Sequence, residues 1–151
     1  MGTLANERVG SAGLAITMAA DLRAMISAAR AANPAALDDP GIRERIARAW
    51  TQIELTKLLN YRALTKVLKG QKNWPEVPLA KLQWSHLAQY LAELAVDMLG
   101  PAGLLTRGGP DAVDGGTWTR LYSFQRYTSI GAGATEVQKN IIADRGLLPR
   151  R

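Results

Sequence analysis

The chain of 151 residues has no cysteine and one histidine, His86. Without thiols there is neither a disulfide nor thiolate chemistry, and a single imidazole excludes a multi-histidine metal centre. No metal site is expected. No apolar run approaches the ~20 residues that a membrane-spanning helix needs, and no signal-peptide pattern opens the chain. The expectation is therefore a cytoplasmic protein with no membrane partner. Period-two alternation, internal repeats and low-complexity segments are also missing, which leaves nothing from which to build a sheet or a solenoid.

What is present is an ordinary globular composition, 47% hydrophobic and 21% charged. A chain of this size suits one domain and buries roughly 70% of its unfolded surface on folding. Nineteen basic residues against 13 acidic ones give a net charge of +6. That balance admits nucleic acid as a partner, and it equally suits a ligand with several phosphates, such as a coenzyme A ester or a flavin dinucleotide. The basic residues are spread through helical text, as on a solvated helix face. A helix-turn-helix needs a short recognition helix after a tight turn, and the helices here are too long for it, so no nucleic-acid role is assigned.

Periodicity predicts four long helices and a short fifth. Leu14, Met18, Leu22, Met25 and Ala29 form one stripe of a first helix from about Thr3 to Ala32, which Asn33-Pro34 should end. Asp39 is the expected N-cap of the second, with Pro40 at its first position. Ile42, Ile46, Ala49 and Ile53, then Leu64, Val67 and Leu68, run towards Gly70 as its C-cap. Pro78 is expected to start a third helix that stops at Leu99-Gly100-Pro101, and Leu104 to Gly116 reads as a loop. Thr117 to Tyr127 should form a short helix. The sum is an all-α, up-and-down four-helix bundle. Trp50, Trp74, Trp84 and Trp118 read as core or inter-subunit packing, and His86 carries no assigned role.

The chain is organised around its closing stretch, Ser129 to Arg145. Gly131, Ala132 and Gly133 let the backbone turn or approach a ligand closely, and Thr135 to Arg145 then reads as a helix with Val137, Ile141 and Ile142 on one face. From the residues alone, a plain connection before a helix accounts for it. The free amides of a helix N-terminus also suit an anion such as a phosphate.

This stretch, Gly133-Ala134-Thr135-Glu136-Val137-Gln138-Lys139-Asn140-Ile141-Ile142 with Asp144-Arg145 and Leu148-Pro149-Arg150 behind it, resembles the signature that closes the C-terminal helical domain of acyl-CoA dehydrogenases. Leu4-Ala5-Asn6-Glu7-Arg8 resembles the Leu-x-x-Glu-Arg start of that domain, and Asp97 to Gly103 resembles its Gln-x-x-Gly-Gly-x-Gly element. The resemblance covers almost the whole chain. It implies the C-terminal domain, residues 1–151, of a larger flavin subunit whose N-terminal helical and middle β domains are not in this sequence. It further implies FAD as cofactor, an acyl-CoA substrate and a homo- or hetero-tetramer with the flavin at a subunit interface. The bundle by itself is then expected to be inactive and to expose apolar surface.

The family's chemistry is α,β-dehydrogenation, in which a carboxylate removes the α-proton of the thioester while a hydride leaves for the flavin. In one branch that base stands in the closing loop, at the position of Ala132, which has no proton-accepting group. In another it is the glutamate of the first helix, which is Glu7. The resemblance therefore makes Glu7 the catalytic candidate, and Gly100, Gly103, Gly133, Ala134 and Glu136 the cofactor-binding candidates. Departures are also visible: the Arg-x-x-Phe-Gly motif after the first helix is missing, the glycine element has Asp97 for its Gln and Pro101 for its second Gly, and Ala134 replaces the signature Thr. These losses resemble members that work in unlike-subunit assemblies, so a non-catalytic assembly partner is the alternative.

Overall fold

The computed structural model describes residues 14–71 and 75–144. Among the described residues five α-helices follow one another: α1 (Leu14–Ala32), α2 (Pro40–Leu68), α3 (Glu76–Leu99), α4 (Thr117–Gln125) and α5 (Thr135–Ile142). The same residues contain no strand. Helices α1, α2 and α3 pack against one another as an antiparallel set, and α4 and α5 both lie on α3. The bundle's fourth wall is thus divided between two short helices, and α3 is its central post.

Helix ends follow local chemistry. The Asp39 carboxylate accepts the Ile42 amide at 2.9 Å, capping α2 with Pro40 behind it. At the far end Gly70 takes φ +64°, the left-handed geometry of a residue just past a helix. α1 stops at Ala32, before Asn33-Pro34, and a 3₁₀ turn over Pro34–Leu37 leads into α2. One boundary differs from expectation: α3 begins at Glu76 rather than Pro78. Proline is tolerated there because the first-turn amides have no intrahelical acceptor, so Pro78 removes no hydrogen bond.

The core joins Met18, Leu22, Met25 and Ala29 of α1 to Ala49 and Ile53 of α2 and to Leu87, Leu91, Leu94 and Met98 of α3. Each large side chain buried this completely stabilises the fold by about 1.5–3 kcal/mol relative to exposure. Ala80, Ala88, Ala92 and Ala95 keep α3 slim enough to be surrounded. Trp118 of α4 is buried in the same core, Trp84 packs at its edge, and Trp50 is exposed beneath the Arg23 guanidinium, 5.3 Å from the ring centroid. Trp74 lies outside the described residues.

Two apolar expectations fail. Leu68 is 78% exposed although it continues the α2 stripe. On α5 the buried residue is Gln138, at 0% exposure, while Val137 is exposed and Ile141 and Ile142 are half-buried. The preceding turn rotates α5 so that Gln138 faces inward, where its amide lies 3.4 Å from the Ala132 carbonyl.

Candidate functional site

The closing turn is set by three unusual backbone positions. Ala132 has φ +55° and Gly133 φ +105°, and Ala134 then enters α5 as its N-cap with an extended ψ of 153°. Alanine in the left-handed region is strained by its Cβ, so the turn is held by its surroundings rather than by preference. The amides of Ile130 and Gly131 both donate to the Tyr127 carbonyl, at 2.9 and 2.8 Å. The Tyr127 ring covers Gly131 so closely that a Cβ there would displace it. Ala134 offers no side-chain cap, which leaves the first amides of α5 without the hydroxyl that a threonine would supply. Glu136 is exposed in that first turn.

The glycine element lies elsewhere. Gly100 leaves α3 at φ +59°, and the chain doubles back as a 3₁₀ turn over Gly100–Leu104. A Cβ on Gly103 would stand 2.9 Å from the Val96 carbonyl oxygen, so this glycine is required for close packing against α3's last turn. Its carbonyl accepts the Thr119 hydroxyl at 2.6 Å. Asp97 is ion-paired with Arg45 at 2.7 Å, and that guanidinium also faces the Tyr90 ring. The acid at the position of the family's amide therefore meets a cation from its own subunit.

The structure gathers Gly133, Ala134 and Glu136 in one turn, and Gly100 and Gly103 in another. It does not bring the two turns together. Thr128, beside the closing turn, bonds to Lys81 near the start of α3, whereas Gly100 follows its end. At 1.5 Å per residue these levels are roughly 28 Å apart along the helix. Glu7 lies outside the described residues.

Sequence reasoning missed Lys81, which is 6% exposed, and Asn33, which donates from Nδ2 to the Met98 carbonyl at 3.0 Å. A lone lysine amid the alanines and leucines of α3 was the available signal for the first. His86 is exposed beside a shallow cavity of about 340 Å³ between α2 and α3, lined also by Arg48, Gln52, Gln83, Leu87 and Tyr90. Among the described residues no group of His, Cys, Asp and Glu is placed to hold a metal ion, and no helix is long and apolar enough to cross a membrane.

These observations define an all-α bundle domain closed by a left-handed turn and a short helix, with its candidate site residues at both ends of the central helix. Residues 1–147 match the acyl-CoA dehydrogenase C-terminal domain. The chain belongs to that family, whose members are flavoproteins. Over 99% of its length it is 38% identical to acyl-CoA dehydrogenase IpdE1 of Mycobacterium tuberculosis and 36% identical to IpdE1 of Mycolicibacterium smegmatis. It spans 37% and 36% of those two proteins. Among solved structures it is similar to the Tcur3481-Tcur3483 steroid acyl-CoA dehydrogenase, with a TM-score of 0.85 and 25% identity, covering 99% of this chain and 39% of that one. It is also similar to a chain of the ChsE4-ChsE5 complex of M. tuberculosis, with a TM-score of 0.71 and 25% identity over 87% of this chain and 36% of the other.

Proposed function

We propose that the chain serves as the C-terminal domain of a flavin-dependent acyl-CoA dehydrogenase, residues 1–151 acting with helical and β domains supplied by the rest of the enzyme. The observation that carries this reading is the closing turn: Gly133 in left-handed geometry, followed by α5, whose N-cap Ala134 makes no side-chain cap hydrogen bond, a helix start that suits an anion. Gly133, Ala134 and Glu136 would line one dinucleotide-binding turn, and Gly100 and Gly103 a second. With the two turns at opposite ends of α3, the reading assigns them to different flavins, or to flavins shared across a subunit interface, in a homo- or hetero-tetramer.

FAD, when bound, would supply the hydride acceptor. The protein's own part is to hold the acyl-CoA and take its α-proton. Ala132 cannot accept a proton, and Glu7 matches the glutamate that serves as base in the family's other branch, so this reading gives the base to Glu7. Two features support this chain as one half of an unlike-subunit assembly: the lack of an acid in the closing turn, and its similarity to a chain of the ChsE4-ChsE5 complex. In that second reading it forms the assembly and a partner supplies the base.

The test is to assemble the full subunit with FAD and add acyl-CoA esters without oxygen, both fatty and steroid side-chain thioesters. Bleaching of the flavin absorption is expected. An assembly that binds no flavin, or whose flavin stays oxidised with every ester, would overturn the enzymatic reading.

A further inference from the structure

Four residues of α3, spaced four apart, meet one short segment. The Lys81 ammonium donates to the Thr128 carbonyl at 2.9 Å. The Ser85 carbonyl lies 3.3 Å from the Thr128 hydroxyl, which also reaches the Gln125 carbonyl at 2.7 Å. Gln89 donates from Nε2 to the Gln125 carbonyl at 3.2 Å, and Glu93 accepts from Arg126 at 2.7 Å. Residues spaced four apart share a helix face, so these contacts form one ladder along α3. The 3₁₀ turn over Arg126–Ser129 is pinned to that ladder.

The ladder lies immediately before the closing turn. Only Ser129 to Ala134 separate Thr128 from the first residue of α5, and the turn at Ala132 and Gly133 lies within that short span. Lys81 is the member whose placement costs most. Its side chain is buried, a charged ammonium is expensive to take out of water, and an apolar residue would fill the same helical face without that cost. Among its interactions, the ammonium directs a donor to a carbonyl 47 residues away. We propose that Lys81 is a positioning residue for the closing turn, fixing Thr128 so that the turn and the start of α5 stand where the flavin and acyl-CoA site needs them. The proposal rests on the functional reading above.

The test uses the flavin-loaded assembly and compares Lys81→Met, which keeps length but removes the donor, with Lys81→Arg, which restores one. Ile53→Val, a core change that lowers stability without touching the ladder, is the control. Lys81→Met is expected to speed amide hydrogen exchange over Ile130 to Val137 by about tenfold beyond the control. It should also slow flavin reduction at saturating acyl-CoA by about 10- to 100-fold, the scale of a misplacement near 1 Å. Lys81→Arg should recover most of both. Exchange and reduction that change no more than in Ile53→Val would overturn the proposal and leave Lys81 a stabilising residue only. If Lys81→Met does not assemble, Gln89→Met removes a neighbouring rung and is judged by the same two readouts. If the parent reduces no flavin, the functional reading fails, and the exchange comparison alone decides whether the ladder holds the turn.

Discussion

Asn33 donates from its side-chain amide to the main-chain carbonyl of Met98 at 3.0 Å, tying the end of α1 to the end of α3 across 65 residues. The bond closes the same end of the bundle where Gly100 turns the chain, and Gly100's missing Cβ faces the Asn33 amide nitrogen at 3.5 Å. Asn33→Ala should lower stability by about 1–2 kcal/mol, since it leaves a partly buried carbonyl unmatched. Asn33→Asp should cost more at neutral pH, because a carboxylate then faces a carbonyl. Urea unfolding of the three proteins checks the order, and an Asn33→Asp chain as stable as the parent would refute the donor role.

Glu76, buried at the start of α3, accepts from Arg62 at 3.0 Å and Lys66 at 2.5 Å, both from α2. Burial raises its pKa, but the Lys66 hydrogen bond, its own backbone amide and the Lys66 and Arg62 charges outweigh burial and hold it below the usual 4.5. A depressed carboxylate stabilises the fold above its unfolded pKa and loses that stabilisation as pH falls through the folded value. Glu76→Gln should cost about 1–3 kcal/mol at pH 7, the scale of charge-assisted hydrogen bonds. The gap between parent and variant should narrow below pH 4.5. A gap that stays constant down to pH 3 would show that the ion pairs contribute nothing.

Sequence pattern carried the bundle because α1 to α3 bury apolar residues at helical spacing, and it carried the Asp39 cap because that chemistry is local. It could not show which face α5 buries. Val137, Ile141 and Ile142 look like a core stripe, yet Gln138 is the buried residue, since the orientation is fixed by the Ala132-Gly133 turn and by α3. The candidate site was legible only as a list. That Gly100 and Gly133 stand near opposite ends of α3, and that Arg45 neutralises Asp97, depends on contacts between residues about 50 apart in sequence. Glu76 and Lys81 were invisible for the same reason: nothing in a single helix says that its charged residues will be buried against another.

Ala132 holds φ +55°, a conformation that strains alanine and suits glycine. Ala132→Gly should therefore raise stability slightly, by roughly 0.5 kcal/mol after the added freedom of the unfolded chain is counted, and Ala132→Val should lower it by about 1 kcal/mol or more. Thermal unfolding of the two variants measures both signs. A valine variant no less stable than the parent would show that the turn relaxes out of the left-handed region and that no strain is stored there.

Ala132 stands at the position of the closing-loop base in one branch of the family and cannot accept a proton, and Glu136 lies beyond it, exposed in the first turn of α5, where a carboxylate stabilises the helix end. Glu7 matches the glutamate that supplies the base in the family's other branch, and the proposed function gives it proton abstraction. Glu7→Gln keeps the shape and hydrogen-bonding reach of the side chain but cannot take up a proton at working pH. In the flavin-loaded assembly it should slow flavin reduction by acyl-CoA by about 10²- to 10⁴-fold, the usual scale of lost general-base catalysis. Acyl-CoA binding and unfolding temperature should stay near those of the parent, which separates a missing base from a damaged fold. Reduction as fast as in the parent would move the base to a partner subunit and leave this chain as the assembly-forming half of the enzyme.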